Sequence, residues 1–373
     1  MNWLKKFIRR YRVDLWILEG VDPKSKTPLS ILCSANDWDR SYLAKITLED
    51  DYREYYVGRS WLWNIRRTAQ KAKQEPSMII VSVKNSRRKF LETGNWFYIP
   101  VWIDGTTDLP LKPEIKKKET LKSDLRKIKK SAFEFEVSRD RQQLDDFYHN
   151  MFTPFIRKVH GDCAYILPYE KMKKHYEEDK GELLLIKKGN EYIAGMLILY
   201  TKNKPLFKSL GIRDGNLEYV KNGIIGALYH FSLQYLEKKN FSTVSYGLSR
   251  GFLRDGVLQY KKKWGHRVDI TSGNTFALRV LSYTEATKYF LENNPFIIED
   301  KGSLDGIVFL NEENIDSPQK LEQLTKVYAY PGLSRLFYYV SETNMKKLQN
   351  SLPEKWSTQI IFKSTEKFIK RAK

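Results

Sequence analysis

The sequence has only two cysteines in 373 residues, Cys33 and Cys163. That is too few for a disulfide framework and points to a reducing compartment. No apolar run approaches the roughly 20 residues a helix needs to cross a bilayer. The opening residues, MNWLKKFIRRYRVDLW, have no apolar stretch followed by small residues of the signal-peptide kind. Metal-ligand spacings, a P-loop, a GxSxG elbow and a dinucleotide fingerprint are missing, which leaves no positive case for a hydrolase, kinase or dehydrogenase, and no metal is expected. Acidic charge is scarce: 45 Asp and Glu stand against 65 Lys and Arg, a formal net charge of +20. Such an excess favours an anionic partner, whether nucleic acid, a phosphorylated substrate or an anionic membrane, without choosing among them.

What is present suffices for real cores. A chain of 373 residues that is 41% hydrophobic and 14% aromatic suits two domains with a small third piece. Near the N-terminus Trp3, Leu4, Phe7, Ile8 and Tyr11 recur at helical spacing, with Lys5, Lys6, Arg9, Arg10 and Arg12 on the other face. Residues 1–12 therefore have the layout of a helix lying in a membrane interface, or of a terminal helix packed on the first domain. The C-terminus repeats the theme, with Ile360, Ile361, Phe362, Phe368 and Ile369 among Lys363, Lys367, Lys370, Arg371 and Lys373.

Periodicity predicts strands at 13–19 and 29–34, a helix at 60–73, and strands at 78–83 and 96–103. The stretch DGTTDLPLKPE, residues 104–114, carries turn residues and two prolines, and a domain boundary is placed there. A helix over 112–130 follows, with nine Lys/Arg against three Asp/Glu. Its stripe of Leu121, Leu125, Ile128 and Ala132 faces inward, leaving a dense basic face that is either simply solvated or binds phosphate. After a strand at 133–137, a helix at 141–159 should kink at Pro154. Strands at 183–187 and 192–200 flank a hairpin turn, and another strand runs over 205–211. Then come helix 223–239, strand 242–246, helix 252–263 and strands at 268–270 and 275–281. Beyond residue 303, strands at 306–310 and 336–340 alternate with helices at 318–327 and 344–352. The expected fold class is α/β (α+β), a mixed, largely antiparallel sheet flanked by helices.

Five stretches in order, ETLKSDLRKIKKSAFEFEV, FYHNMFTPFIRKVHG, GELLLIKKGNEYIAGMLILY, IIGALYHFSLQYLEKKNFSTVSYG and LSRGFLRDGVLQYKKKWGH, carry a family likeness. Over roughly residues 116–281 the chain resembles the GNAT acyltransferases, and most nearly their Fem-type branch. The resemblance implies GNAT-like domains in tandem. An N-terminal α/β domain over 1–108 would be a divergent copy, an acyltransferase domain would span 112–300, and a small C-terminal α/β extension 301–373. It also implies transfer of an acyl or aminoacyl group to an amine on a phosphate-bearing or lipid-linked precursor of the cell envelope or a polysaccharide. The donor would be acyl-CoA or aminoacyl-tRNA, and the expected place is the cytoplasm, peripheral to the inner membrane face. Two alternatives stand beside it: a soluble acetyl-CoA-dependent N-acetyltransferase, and a non-catalytic RNA- or membrane-binding protein on a decayed fold of this kind.

Transfer to an amine requires a base for the amine, N–H donors for the tetrahedral oxyanion and a proton for the leaving group. By resemblance, the oxyanion donor comes from a strand near residues 209–211. Tyr246, at the end of the next strand, is the candidate general acid or substrate hydrogen bond, unless it only packs. His160 is a candidate for taking the amine proton, since an unperturbed histidine titrates near ~6.5. Asp255 completes the catalytic set, with helix capping as the alternative. Lys221, Asn222, Gly223, Gly226 and Ala227, at the start of the central helix, form the candidate donor site, because a helix start leaves N–H groups unpartnered. The Gln/Arg-x-x-Gly-x-Gly/Ala pattern of CoA users is absent there, which weighs against CoA, and the glycines equally suit close packing. Arg157, Ser249 and Arg250 are the candidate substrate contacts, Arg250 for its fork geometry. One of Lys261, Lys262 and Lys263 is expected to meet donor phosphates; the sequence does not say which.

Overall fold

Five strands precede residue 104: β1 (Arg12–Val21), β2 (Pro28–Ser34), β3 (Tyr52–Trp61), β4 (Met78–Lys84) and β5 (Phe97–Pro100). Next come β6 (Asp104–Asp108), β7 (Glu134–Ser138), β8 (Glu182–Lys188), β9 (Glu191–Thr201), β10 (Lys204–Ile212), β11 (Thr243–Ser245) and β12 (Arg267–Asp269). The last are β13 (Asn274–Val280), β14 (Phe296–Asp300), β15 (Ser303–Phe309), β16 (Arg335–Val340) and β17 (Ile360–Ser364). The computed structural model describes residues 8–372 apart from 9, 50, 71–74, 162–165, 203 and 272, and leaves the side chains of 160, 371 and 372 undescribed. Residues 1–7 and 9 thus put most of the expected interfacial helix outside the described residues.

The strands form three sheets, in the orders β3-β1-β2-β4-β13-β5, β12-β6-β11-β10-β9-β8-β7 and β14-β15-β16-β17. The chain divides into two compact units. One is Met1–Ile103, Ser249–Leu258 and Asp269–Lys373; the other is Asp104–Leu248 and Gln259–Val268. The fold is mixed α/β and largely antiparallel, as the periodicity implied.

In the first unit, β13 pairs antiparallel with both β4 and β5, so the chain returns to its N-terminal sheet. The expected segments were contiguous, whereas this strand crosses them. The reason lies in its composition: NTFALRV is buried at every position after Asn274, and such a strand needs partners on both edges and cover on both faces. Residues 60–61, expected to open a helix, instead end β3, which pairs with β1 from Tyr52 to Trp61. A short 3-10 turn and the helix Ile65–Ala69 follow. The aromatic content of YREYYVGRSW favours the pleated surface and outweighs the helical period that begins at Trp61. The C-terminal tail is also put to another use. Ile360 and Phe368 are buried, Phe368 and the partly buried Ile369 in the first unit's core, so much of the tail's apolar side is spent there rather than offered to a membrane.

In the second unit, residues 104–108 form a strand rather than a boundary loop, pairing antiparallel with β11. Thr106 and Thr107 supply β-branched side chains, and the prolines come only afterwards. The β8–β9 hairpin turns through Gly189 in the left-handed region. The expected kink near Pro154 is a change of helix type: Arg141–Asp146, a π-helical Phe147–Phe152, then Thr153–His160 with Pro154 in its first turn. The helix Ile224–Lys238 links β10 to β11, and this crossover makes them parallel.

Candidate functional site

The second unit's sheet comes apart between β10 and β11. On one side β10 pairs antiparallel with β9 from Lys204 to Ile212, with an irregularity between Phe207 and Ser209. On the other, its parallel ladder with β11 has a single register pair, Leu206 with Ser245. Past that point the β11 chain turns away through Gly247, whose φ is +68°. Residues 209–212 therefore have β9 on one edge and no ladder to β11 on the other. In an antiparallel strand alternate N–H groups point to the partner, so the remaining ones at residues 209–212 face away from β9, the kind of donor an oxyanion needs.

The helix start beside it is built differently from the sequence expectation. Gly223 precedes the helix Ile224–Lys238 with φ +92°, and a Cβ there would lie 2.9 Å from Cβ of Lys127. A Cβ at Gly226 would lie 3.3 Å from the carboxylate oxygen of Asp124. The glycines thus let the basic helix Glu119–Ser131 approach the central one. Lys127 Nζ donates to the carbonyl of Lys221 at 3.2 Å, and Ser131 Oγ to that of Asn222 at 3.1 Å. Ala227 is fully buried. Four of the five residues read as a donor site, Lys221, Asn222, Gly223 and Gly226, meet the basic helix, with a carboxylate beside Gly226 where a phosphate was expected.

Tyr246 lies in the core at 3% exposure, its hydroxyl donating to the carbonyl of Trp264 at 3.0 Å. Its ring stacks on Phe207 at 5.3 Å and meets Tyr229 edge-on at 5.2 Å. Burial pushes its pKa well above the usual tyrosine value. A general acid must reach substrate, and this hydroxyl is committed to the backbone. Tyr246→Phe is accordingly expected to cost about 1 kcal/mol of stability, the worth of one buried hydrogen bond, with turnover per folded molecule unchanged. Paired melts and rate measurements check this.

Ser249, Arg250 and Asp255 belong to the first unit. Ser249 is buried, and its backbone exchanges hydrogen bonds of 2.8 and 2.9 Å with Ile103. The Arg250 guanidinium is buried against Asp39, so it is no open clamp. Asp255 Oδ1 accepts from the Leu258 N–H at 2.8 Å, the capping alternative. Arg157 is exposed on the helix Thr153–His160; His160 ends that helix, and its side chain lies outside the described residues. The candidates are thus divided between the two units, Ser249, Arg250 and Asp255 in the first and the others in the second.

Two features were not singled out by the sequence. The first is the difference among the three lysines of the helix Gly256–Lys263. Lys261 Nζ donates to the carbonyls of Gly247 and Leu248, each at 2.9 Å, and so holds the turn after β11. Lys263 pairs with Asp124. Lys262 is set apart: burial, followed by the charge of Lys118, lowers its pKa to about 8. Burial and Lys116 likewise lower the pKa of His230 on the central helix. His230 is thereby kept neutral near pH 7, whereas the half-desolvated Lys262 beside Lys118 would be relieved by an anion. The helical rotation of 100° per residue separates the three, but only the packing shows which way each points. The second feature is Glu182, a buried carboxylate with four side-chain partners, which one acidic residue at a strand start does not announce.

The sequence matches no family model and no curated protein. Among solved structures it is similar to FemX at 12% identity, covering 70% of this chain and 83% of that one, with a TM-score of 0.38. It is also similar to the C-terminal DUF2156 domain of a putative lysylphosphatidylglycerol synthetase from Agrobacterium fabrum, at 12% identity, 74% and 83% coverage and a TM-score of 0.35. A GCN5-related N-acetyltransferase from Sphaerobacter thermophilus is similar at 11% identity, 69% and 76% coverage and a TM-score of 0.32. Similarity at this level assigns neither an activity nor a substrate. No helix among the described residues is long and apolar enough to cross a membrane.

Proposed function

We propose that this chain is an acyl- or aminoacyl-transferase that forms an amide on an amine of a phosphate-bearing or lipid-linked envelope precursor. The observation that carries the reading is the parting of β10 and β11 after the single pair Leu206–Ser245. The acceptor amine attacks the donor carbonyl, the C–N bond forms, and a backbone N–H of residues 209–211 that does not point to β9 holds the oxyanion. When the tetrahedral intermediate collapses, the C–O or C–S bond to the carrier breaks, and the amine's proton leaves with the carrier oxygen or sulfur.

The helix start favours an aminoacyl ester on tRNA over a CoA thioester. The side chain of Asp124, paired with Lys263, lies against Gly226 and fills the space where the CoA pyrophosphate of the resemblance would sit. The exposed cations of the helix Glu119–Ser131, with Lys262 beside Lys118, suit a longer phosphate backbone. Supplying radiolabelled aminoacyl-tRNA and acetyl-CoA to the folded protein with candidate amines tests the reading. Transfer from aminoacyl-tRNA supports it, and transfer from acetyl-CoA alone moves it to the N-acetyltransferase alternative. Transfer from neither rejects it.

Lys262 adds a pH signature. With its pKa at about 8, the ammonium is charged below that pH and neutral above it. RNA affinity at fixed ionic strength should therefore fall as pH rises through about 8. Lys262→Gln should remove that step and Lys262→Arg carry it to higher pH, as read by fluorescence anisotropy.

A further inference from the structure

Arg279 is a cation placed among apolar side chains of the first unit. It stands on β13 opposite Ile79, one residue past the last pair with β5, Leu278 with Phe97. Ala277 and Leu281 belong to the cluster of Leu62, Ile65, Ala69 and Leu91, and the strand's alternation puts Arg279 on that same face. Only 4% of it is exposed. Its guanidinium donates once, from Nη1 to the carbonyl of Thr93 at 3.1 Å, and Nε is buried without an acceptor. Gly94 leaves room for it, since a Cβ there would lie 2.4 Å from Nη1. Burial and then the charge of Arg66 lower its pKa, against a smaller upward pull from Glu92. A desolvated charge held by one carbonyl is costly, and a nearby anion recovers part of that cost.

Thr93 is also part of the wall of a surface depression of about 450 Å³, lined by Trp63, Asn64, Arg66, Arg67 and Glu92 as well. The one carboxylate in this wall has a task of its own. Glu92 Oε1 accepts from the backbone N–H of Arg66, at 3.0 Å, where the helix Ile65–Ala69 begins. Against it stand Arg66 and Arg67 in the wall and Arg279 behind Thr93, so the surroundings stay positive whatever else Arg66 contacts. Arg67 is exposed. The wall is polar apart from Trp63, which gives an apolar ligand little to bury against. Arginine forks match the oxygen geometry of phosphate, and the positive excess suits a dianion better than a monoanion.

We infer that this depression holds a doubly charged phosphate group, with Arg67 at its mouth and Arg279 behind Thr93. The site lies wholly in the first unit and does not rest on the transferase reading of the second.

Isothermal titration of the full chain tests the assignment, at constant ionic strength and about pH 8, where a phosphate is doubly charged. The probes are inorganic phosphate and phenyl phosphate, with benzoate as the monoanion for comparison. Saturable binding of both phosphates is expected, with benzoate weaker by about tenfold. Tighter binding of phenyl phosphate than of inorganic phosphate supports a phosphate ester as the ligand, with its ring beside Trp63; equal affinity supports free phosphate. Arg67→Gln, an exposed change that leaves the core intact, should weaken phosphate about tenfold, the worth of one charge-assisted contact. Arg279→Met, measured on protein that still melts cooperatively, should weaken it as well, while Lys45→Gln, an exposed change elsewhere on the first unit, should not. Absence of saturable phosphate binding up to about 10 mM would overturn the proposal. So would benzoate binding as tightly as phosphate, full phosphate affinity in either arginine variant, or an equal loss in Lys45→Gln.

Discussion

Arg250→Ala is expected to lower the unfolding free energy by about 3–5 kcal/mol, the range for breaking a buried ion pair from one side. Arg250 Nη1 lies 2.7 Å from Asp39 Oδ1, with the two side chains 10% and 6% exposed. The guanidinium is also packed between rings, 3.8 Å from the centroid of Trp102 and 4.3 Å from that of Tyr42. Truncation leaves the Asp39 carboxylate in the interior with a hydrogen bond from Asn36 but without its cation. Arg250→Lys should fall between, because an ammonium keeps the charge but cannot stack its plane on two rings. Asp39→Ala/Arg250→Ala should be less damaging than the sum of the single changes, since no charge is then stranded. Urea melts with a common slope measure all of this. The same series separates two roles. If Arg250→Ala kept its stability but lost transfer activity, Arg250 would be a substrate clamp after all; activity that follows the folded fraction marks it as structural.

Glu182→Leu should cost about 3 kcal/mol, through loss of a buried acceptor shared by several donors. Glu182, the first residue of β8, accepts from Arg139 at 2.6 Å, Tyr200 at 2.5 Å, Tyr235 at 2.8 Å and Lys239 at 2.9 Å. In the variant both tyrosine hydroxyls lose this acceptor. Arg139 and Lys239, 69% and 36% exposed, can turn to water, which keeps the cost from rising further. Burial by itself raises the Glu182 pKa, but the hydrogen bonds from Tyr200, Lys239, Tyr235 and Arg139 overcome it and hold the value at about 2, against an ordinary 4.5. The folded pKa is thus depressed. The stability it confers is fully present above about pH 4.5 and drains away as pH falls toward about 2. The gap in melting temperature between wild type and Glu182→Leu should therefore narrow between pH 5 and pH 3, where the unfolded chain takes up the proton first. A gap that stayed constant across that range would mean the carboxylate is not held ionised by its neighbours.

The candidate site was legible only in part. The strand around 209–211 was singled out by the family resemblance alone, and the parting of β10 from β11 beside it is a tertiary feature that no local pattern announces. Tyr246 was placed correctly at a strand end, but its sequence position does not say whether the hydroxyl meets substrate or the carbonyl of Trp264, 18 residues on. Gly223 and Gly226 are as suited to a phosphate as to a helix, and the side chains of Lys127 and Asp124 decided between them. Arg250 carried the right chemistry for a clamp, yet its partner is 211 residues away.

The sequence by itself determined the local elements and the charge. The continuous apolar runs of β8 and β9, the turn at Gly189 and the apolar face of the helix Ile224–Lys238 follow from residue preferences acting over short stretches, and these needed no partner to be read. The tertiary structure alone decided which strands became neighbours, including the return of β13 to the first sheet and the strand at 104–108. It also decided which of three consecutive lysines is half-buried beside another cation. Pairing and desolvation are set by groups distant in the chain, and the free energy of a buried charge depends on those groups rather than on its own neighbours in sequence.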